Sequence, residues 1–180
     1  LALRYNQLTT LPPEIGKLRQ LKHLDLRRNL LAGLPHEAGQ LGNLTALDLR
    51  QNRLTSLIQE LGHLQQLRTL DLRQNRIRIF PQAILEMAQL EELHLWHNPM
   101  LSIPLEIGEL KYLTMLNLGG NSMTEIPFGI WNLVNLRHLI IEHTDMTDIS
   151  PEIARLQRLE YIELHNNRII TLPPEFGVLK

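Results

Sequence analysis

The sequence contains no cysteine, which excludes disulfide staples and thiolate metal sites and points to a reducing compartment, the cytoplasm. Aromatic residues are scarce, at 4%, while hydrophobic residues make up 43%, so any core must be built from aliphatic side chains. No apolar run approaches the ~18 residues of a membrane span, and no basic-then-apolar leader opens the chain. The formal net charge of −1 argues against a general nucleic-acid binder. The HExxH, GxSxG, P-loop and GxGxxG signatures are all missing, so no enzyme activity, cofactor or metal is expected.

What the chain does have is a period. Leu21, Leu44, Leu67, Leu90, Leu113, Leu136 and Leu159 fall 23 residues apart. Each opens the pattern L-x-x-L-x-L-x-x-N, whose Asn recurs at Asn6, Asn29, Asn52, Asn75, Asn98, Asn121 and Asn167. Leu24 and Leu26 alternate with polar neighbours, the two-residue period of a strand with one buried face. Downstream segments such as Ile103-Pro104 and Ile107-Gly108 carry the proline and glycine of turns or short helical pieces. Strands arriving once per 23 residues must run parallel, and a strand side narrower than the return side forces curvature. The Asn side chain is expected to turn inward and satisfy backbone groups of adjoining loops. Thr144 interrupts this column, which predicts loosening over residues 144–150. The Met100, Met123 and Met146 column and Phe80 read as core.

These motifs resemble the leucine-rich repeat family over all 180 residues. The 23-residue "LPxxIGxL" form is similar to Ras-suppressor and Scribble-type scaffolds, plant Ras-related repeat proteins, Roco proteins and bacterial repeat proteins. The resemblance implies an α/β solenoid, a horseshoe with a concave parallel β-sheet and 3₁₀, short helical or turn returns on the convex side. Residues 1–180 read as a single array of about eight repeats, partial and uncapped at both ends, as a segment of a longer protein would be. The function implied is non-catalytic protein–protein recognition by a scaffold on its concave face. The alternative is a sensor or substrate-positioning domain of a larger GTPase, kinase or ubiquitin ligase.

Reading across repeats locates the expected contact surface. The slot between the strand leucines runs Asp25, Asp48, Asp71, His94, Asn117, Ile140, Glu163. The slot after them runs Arg27, Arg50, Arg73, Trp96, Gly119, Glu142, His165. The first half is thus an Asp–Arg ladder, either a self-neutralising surface or a steering strip for a polar partner. Residues 1–89 carry 12 basic and 7 acidic residues, net +5, and residues 90–180 carry 6 and 12, net −6. The ladder breaks at Trp96, which faces Gly119 and Gly120. Met115, Ile140 and Tyr161 share its face, with His94, His97, His138, His165, Asn117, Glu142 and Glu163 around them. An aromatic in an apolar clearing with a polar rim is the composition of a binding hot spot, so these residues form the expected protein-binding site. Glu142 and His165 are neighbours in one column, but two ligands fall short of the three or four that zinc requires. On the return side, Phe128 and Trp131 break the polar segment, and Trp131, in the place of the frequent Gly, either packs between adjacent returns or marks a second contact surface.

Overall fold

The computed structural model describes residues 1–179. Seven strands, each three residues long, form one open sheet: β1 (His23–Asp25), β2 (Ala46–Asp48), β3 (Thr69–Asp71), β4 (Glu92–His94), β5 (Met115–Asn117), β6 (His138–Ile140) and β7 (Tyr161–Glu163). They are parallel and lie side by side in chain order. Every residue pairs with the one 23 positions on, as Leu24 with Leu47 and His94 with Asn117, so sequence columns become straight rows across the sheet. Ala2 adds a single bridge to Asp25.

Among the described residues the returns resolve as 3₁₀ turns of five residues each, from Pro13–Lys17 to Pro174–Val178. The preceding residue is Pro in six of the eight and is held extended, which suits entry to a 3₁₀ turn. Ser150 takes that slot before Pro151–Arg155, and its hydroxyl oxygen accepts the Glu152 N–H at 3.2 Å, so the displaced proline is replaced by a side-chain cap.

Sheet and returns enclose one core. Both strand aliphatic side chains of each interior repeat, leucines except for Ile141, point into it, with Leu47, Leu70, Leu93 and Leu116 all at 2% exposure or less. Each such side chain contributes about 1.5–3 kcal/mol through burial. Met100, Met123, Met146 and Phe80 are core residues, as their columns require. Trp131 is also core, at 1% exposure, so packing between returns is its role, whereas Phe128 stays exposed beneath the Arg155 guanidinium.

The Asn column is the second stabilising element. Asn98 donates from Nδ2 to the carbonyls of Leu95 and of Leu72 in the preceding repeat, both at 3.0 Å, and its Oδ1 accepts Ile77 N–H at 3.1 Å. Asn29, Asn52, Asn75 and Asn121 repeat the arrangement. At Thr144 it fails. The hydroxyl donates instead to Asn167 Oδ1, which also accepts the Thr144 N–H, and among the described residues Met123 N–H and Met146 N–H receive no such acceptor.

Candidate functional site

The concave face begins with the slot between the strand leucines. Asp25, Asp48 and Asp71 each accept, through Oδ1, the backbone N–H two residues on, at 3.3, 3.1 and 3.1 Å. Asn117 does the same for Gly119 at 3.1 Å. This slot therefore caps the strand exit, and an amide serves as well as a carboxylate because only an acceptor oxygen is needed. The carboxylates also hold the following arginines. Asp71 takes Arg73 through both oxygens, with Nη2 at 2.6 Å from Oδ2, while Arg27 and Arg50 sit 3.4 and 3.5 Å from Asp25 and Asp48. The Asp71 hydrogen bond pushes the Arg73 guanidinium above its ordinary value. Burial, then the Asp71 charge, pushes the Asp48 carboxyl up.

The backbone next turns left-handed, once in every repeat. Tyr5, Arg28, Gln51, Gln74, His97, His143 and Asn166 all have φ between 52° and 59°, and Gly120 has φ 63°. Non-glycine residues adopt this region at a cost of roughly 1–2 kcal/mol each, and in the sequence Gly120 signals it strongly while His97, His143 and Asn166 signal it only weakly. The turn places each left-handed side chain beside the one before it. Arg27 with Arg28, Arg50 with Gln51 and Arg73 with Gln74 thereby line a concave depression of about 340 Å³, with Tyr5 and Trp96 completing its wall. The Arg28 guanidinium lies 5.0 Å from the Tyr5 ring centre, and its Nε donates to Gln51. The sequence shows the ladder but not this depression, because the left-handed positions that line it are Tyr5, Arg28, Gln51 and Gln74, residue types that carry no left-handed signal.

Trp96 marks the boundary between the two halves. It is half-buried rather than free-standing, and its indole Nε1 is shielded with no hydrogen-bond partner. Its ring lies against Gly119, where an added Cβ would come within 2.9 Å of both Trp96 Cδ1 and a Glu142 carboxylate oxygen. Gly119 is thus the slot into which Trp96 and Glu142 fit. The His97 ring sits 5.1 Å from the Trp96 ring. His94 is half-buried, 3.5 Å from the Glu92 carboxylate, and Asn117 and Gly119 are buried, so those two shape the face without being exposed on it. Met115, Ile140 and Gly120 are half-exposed and Tyr161 is exposed, with His138 tilted against the Tyr161 ring at 6.2 Å. Glu142, Glu163 and His165 gather at the far end, joined by His143 from the left-handed column. Donor atoms of Glu142, His143 and His165 lie within 4.8 Å of one another. The negative charge of Glu163, with burial and Glu142 adding to it, pushes the Tyr161 phenol up.

This geometry has known counterparts. The family profile described as "Leucine rich repeat" matches residues 1–54, 42–100, 88–146 and 158–179. A leucine-rich repeat protein of Leptospira interrogans superposes with a TM-score of 0.98 at 42% identity, over 100% of this chain and 46% of that one. The chain therefore spans less than half the length of that relative. Internalin C2 of Listeria monocytogenes gives 0.89 at 25% identity, over 99% of this chain and 76% of that one. A plant peptide hormone receptor, RGFR1 in complex with RGF2, gives 0.69 at 29% identity, over 96% and 32%. No curated protein matches significantly. No helix among the described residues is long and apolar enough to cross a membrane. Repeats matched one after another, parallel three-residue strands in 23-residue register and an inward asparagine ladder have one common explanation: the chain belongs to the leucine-rich repeat family.

Proposed function

We propose that this chain is a non-catalytic recognition domain that binds a protein partner on its concave face, with Trp96 as the anchor. Leucine-rich repeat domains generally mediate protein–protein interaction, and the plant receptor among the structural relatives is described with a bound peptide hormone. The observation that carries the reading is the position of Trp96. Its ring bounds the arginine-lined depression on one side and rests on Gly119 on the other, so a partner crossing the sheet meets it from either half. The shielded, unpartnered indole N–H is a donor that a partner's acceptor oxygen would satisfy. Arg27, Arg50 and Arg73 are held in place by their aspartates, so binding there needs little ordering of long side chains. The partner this surface fits is a protein segment with carboxylate or other acceptor groups over the arginines and an apolar contact at Trp96. The test is affinity capture with the intact chain and with Trp96→Ala, followed by titration of whatever is retained. Trp96→Ala should weaken binding by roughly 2–4 kcal/mol, as hot-spot truncations do. Undiminished binding by the variant would place the site elsewhere.

A further inference from the structure

At the far end of the concave face, within the expected partner surface, Glu142 and His165 join His143 in a cluster whose mutual geometry protein recognition alone does not explain. Glu142 lies in the slot after Leu139 and Ile141 of the β6 repeat, His165 occupies the same slot one repeat on, and His143 is in the left-handed column. Glu142 Oε2 is 3.8 Å from His143 Nε2 and 3.7 Å from His165 Nε2. The two imidazoles meet edge to face, with ring centres 5.3 Å apart. The Glu142 side chain is only 12% exposed, walled in beside Gly119 and Trp96. Among the described residues no lysine or arginine forms an ion pair with it; its only charged or chargeable partners are the two histidines. A largely desolvated carboxylate requires either a cation or a set of donors.

We infer that Glu142, His143 and His165 form a binding site for a divalent transition metal of the zinc class, with an open coordination position facing the concave groove. Two imidazole nitrogens and one carboxylate oxygen are a ligand set that zinc takes in open sites, and they select against magnesium and calcium, which prefer all-oxygen ligands. Ligands ~2.0–2.1 Å from a tetrahedral ion stand about 3.3 Å apart. The two edges to Glu142 therefore have to contract by about 0.4 and 0.5 Å, and the edge between the two imidazole donors, under 4.8 Å, by at most about 1.5 Å, which rotations of two exposed rings supply. Orientation is already provided at His165. Its Nδ1 lies 3.1 Å from Glu163 Oε1, which fixes the ring with Nε2 towards Glu142, the carboxylate–histidine–metal arrangement of zinc proteins. At His143, Nε2 lies 3.0 Å from Asn166 Nδ2, so the Asn166 amide must turn aside when the metal enters. The two carboxylates supply a local negative field for a cation, felt also by the neighbouring Tyr161 phenol. Sequence spacing alone yields Glu142 and His165; the third ligand is supplied by the left-handed φ of 52° at His143.

The test is calorimetric titration of the chelator-treated chain with Zn²⁺, and separately with Mg²⁺, alongside Co²⁺ absorption spectroscopy. One Zn²⁺ per chain is expected, with no Mg²⁺ uptake and the intense visible bands of a low-coordinate Co²⁺ adduct. His165→Ala and His143→Ala should each lower Zn²⁺ affinity by about 100-fold, and Glu163→Gln, which touches no metal, by about 10-fold. His63→Ala, on a return segment, should leave affinity unchanged, and circular dichroism checks that each variant is folded. Equal Zn²⁺ uptake by the parent and a folded His143→Ala/His165→Ala double variant would overturn the assignment. So would a Co²⁺ spectrum indistinguishable from the aqueous ion. Should the alanine variants unfold, Glu163→Gln decides alone: unchanged affinity in that variant refutes the geometry. None of these readouts involves a protein partner, so they stand apart from the fate of Trp96.

Discussion

Thr144→Asn should stabilise the protein, and the structure gives the size of the effect. At Asn98 one amide satisfies three backbone groups, the carbonyls of Leu72 and Leu95 and the N–H of Ile77. The equivalents at position 144 are the Leu118 and Ile141 carbonyls and the Met123 N–H. Thr144 reaches none of them, because its hydroxyl is committed to Asn167 Oδ1. An amide at 144 would make all three bonds and free Asn167 Oδ1 for Met146 N–H. At a net ~0.5–1.5 kcal/mol per bond, less the lost Thr144–Asn167 contact and the ordering of a longer side chain, the gain is about 1–2 kcal/mol. For a chain of this length that corresponds to a rise in melting temperature of roughly 2–8 °C. Thermal unfolding followed by circular dichroism reads the total. Hydrogen exchange at Met123 and Met146 reads the location, since their amides should exchange faster than those of Ile77 and Leu54 in the parent and slow in the variant. A variant that melts no higher than the parent, with exchange at Met123 unchanged, would refute the account of the ladder.

Asn75→Ala removes the same three bonds from an intact repeat and leaves buried groups unpaired, so it should cost about 3–5 kcal/mol in denaturant unfolding. Asp48→Asn keeps the acceptor for Arg50 N–H, as Asn117 does for Gly119, but removes a carboxyl pushed above its ordinary 3.8 by burial and by Asp71. The favourable contribution of a raised carboxyl is complete below 3.8 and lost as pH rises through its folded value, so the variant should be more stable than the parent at neutral pH. That advantage should shrink on acidification towards 3.8, and urea midpoints across the range would show whether it does. Gly119→Ala places a methyl group 2.9 Å from Trp96 Cδ1 and Glu142, so it should displace the indole and weaken partner binding together with Zn²⁺ affinity. Parallel titrations of the two ligands check this, and wild-type values for both would contradict the packing described.

The architecture was legible because leucine recurs at every turn of the solenoid and asparagine at every turn but the one at Thr144. A strand period of two, repeated in phase, fixes which faces are buried, and the structure places Leu24, Leu47 and the methionine column where that period requires. The site was legible only as columns. Trp96 opposite Gly119 follows from the 23-residue register, since both lie in one row. Its half-burial does not follow, because a sequence cannot tell an aromatic lying flat over a glycine from one standing clear of it. The burial of Asn117 and the role of the aspartates in capping strand exits were equally hidden, since polar residues between strand leucines read as surface. The place of His143 beside Glu142 and His165 was not legible, for a conformational reason. Position 143 carries histidine where position 120 carries glycine, and histidine announces a left-handed backbone far more weakly than glycine does.

That left-handed column also bears on how such a face can change. Tyr5, Arg28, Gln51, Gln74, His97, His143 and Asn166 share nearly one backbone conformation while differing in charge, size and hydrogen-bonding chemistry. None of the seven is β-branched, the class that this backbone region disfavours most, and none is buried. Exchanging one of these side chains, unbranched at Cβ, for another is therefore close to neutral for folding while altering what the concave face presents. The column works as a row of interchangeable letters on a fixed line, open to diversification by selection or by design, with the leucines and asparagines beneath it left untouched.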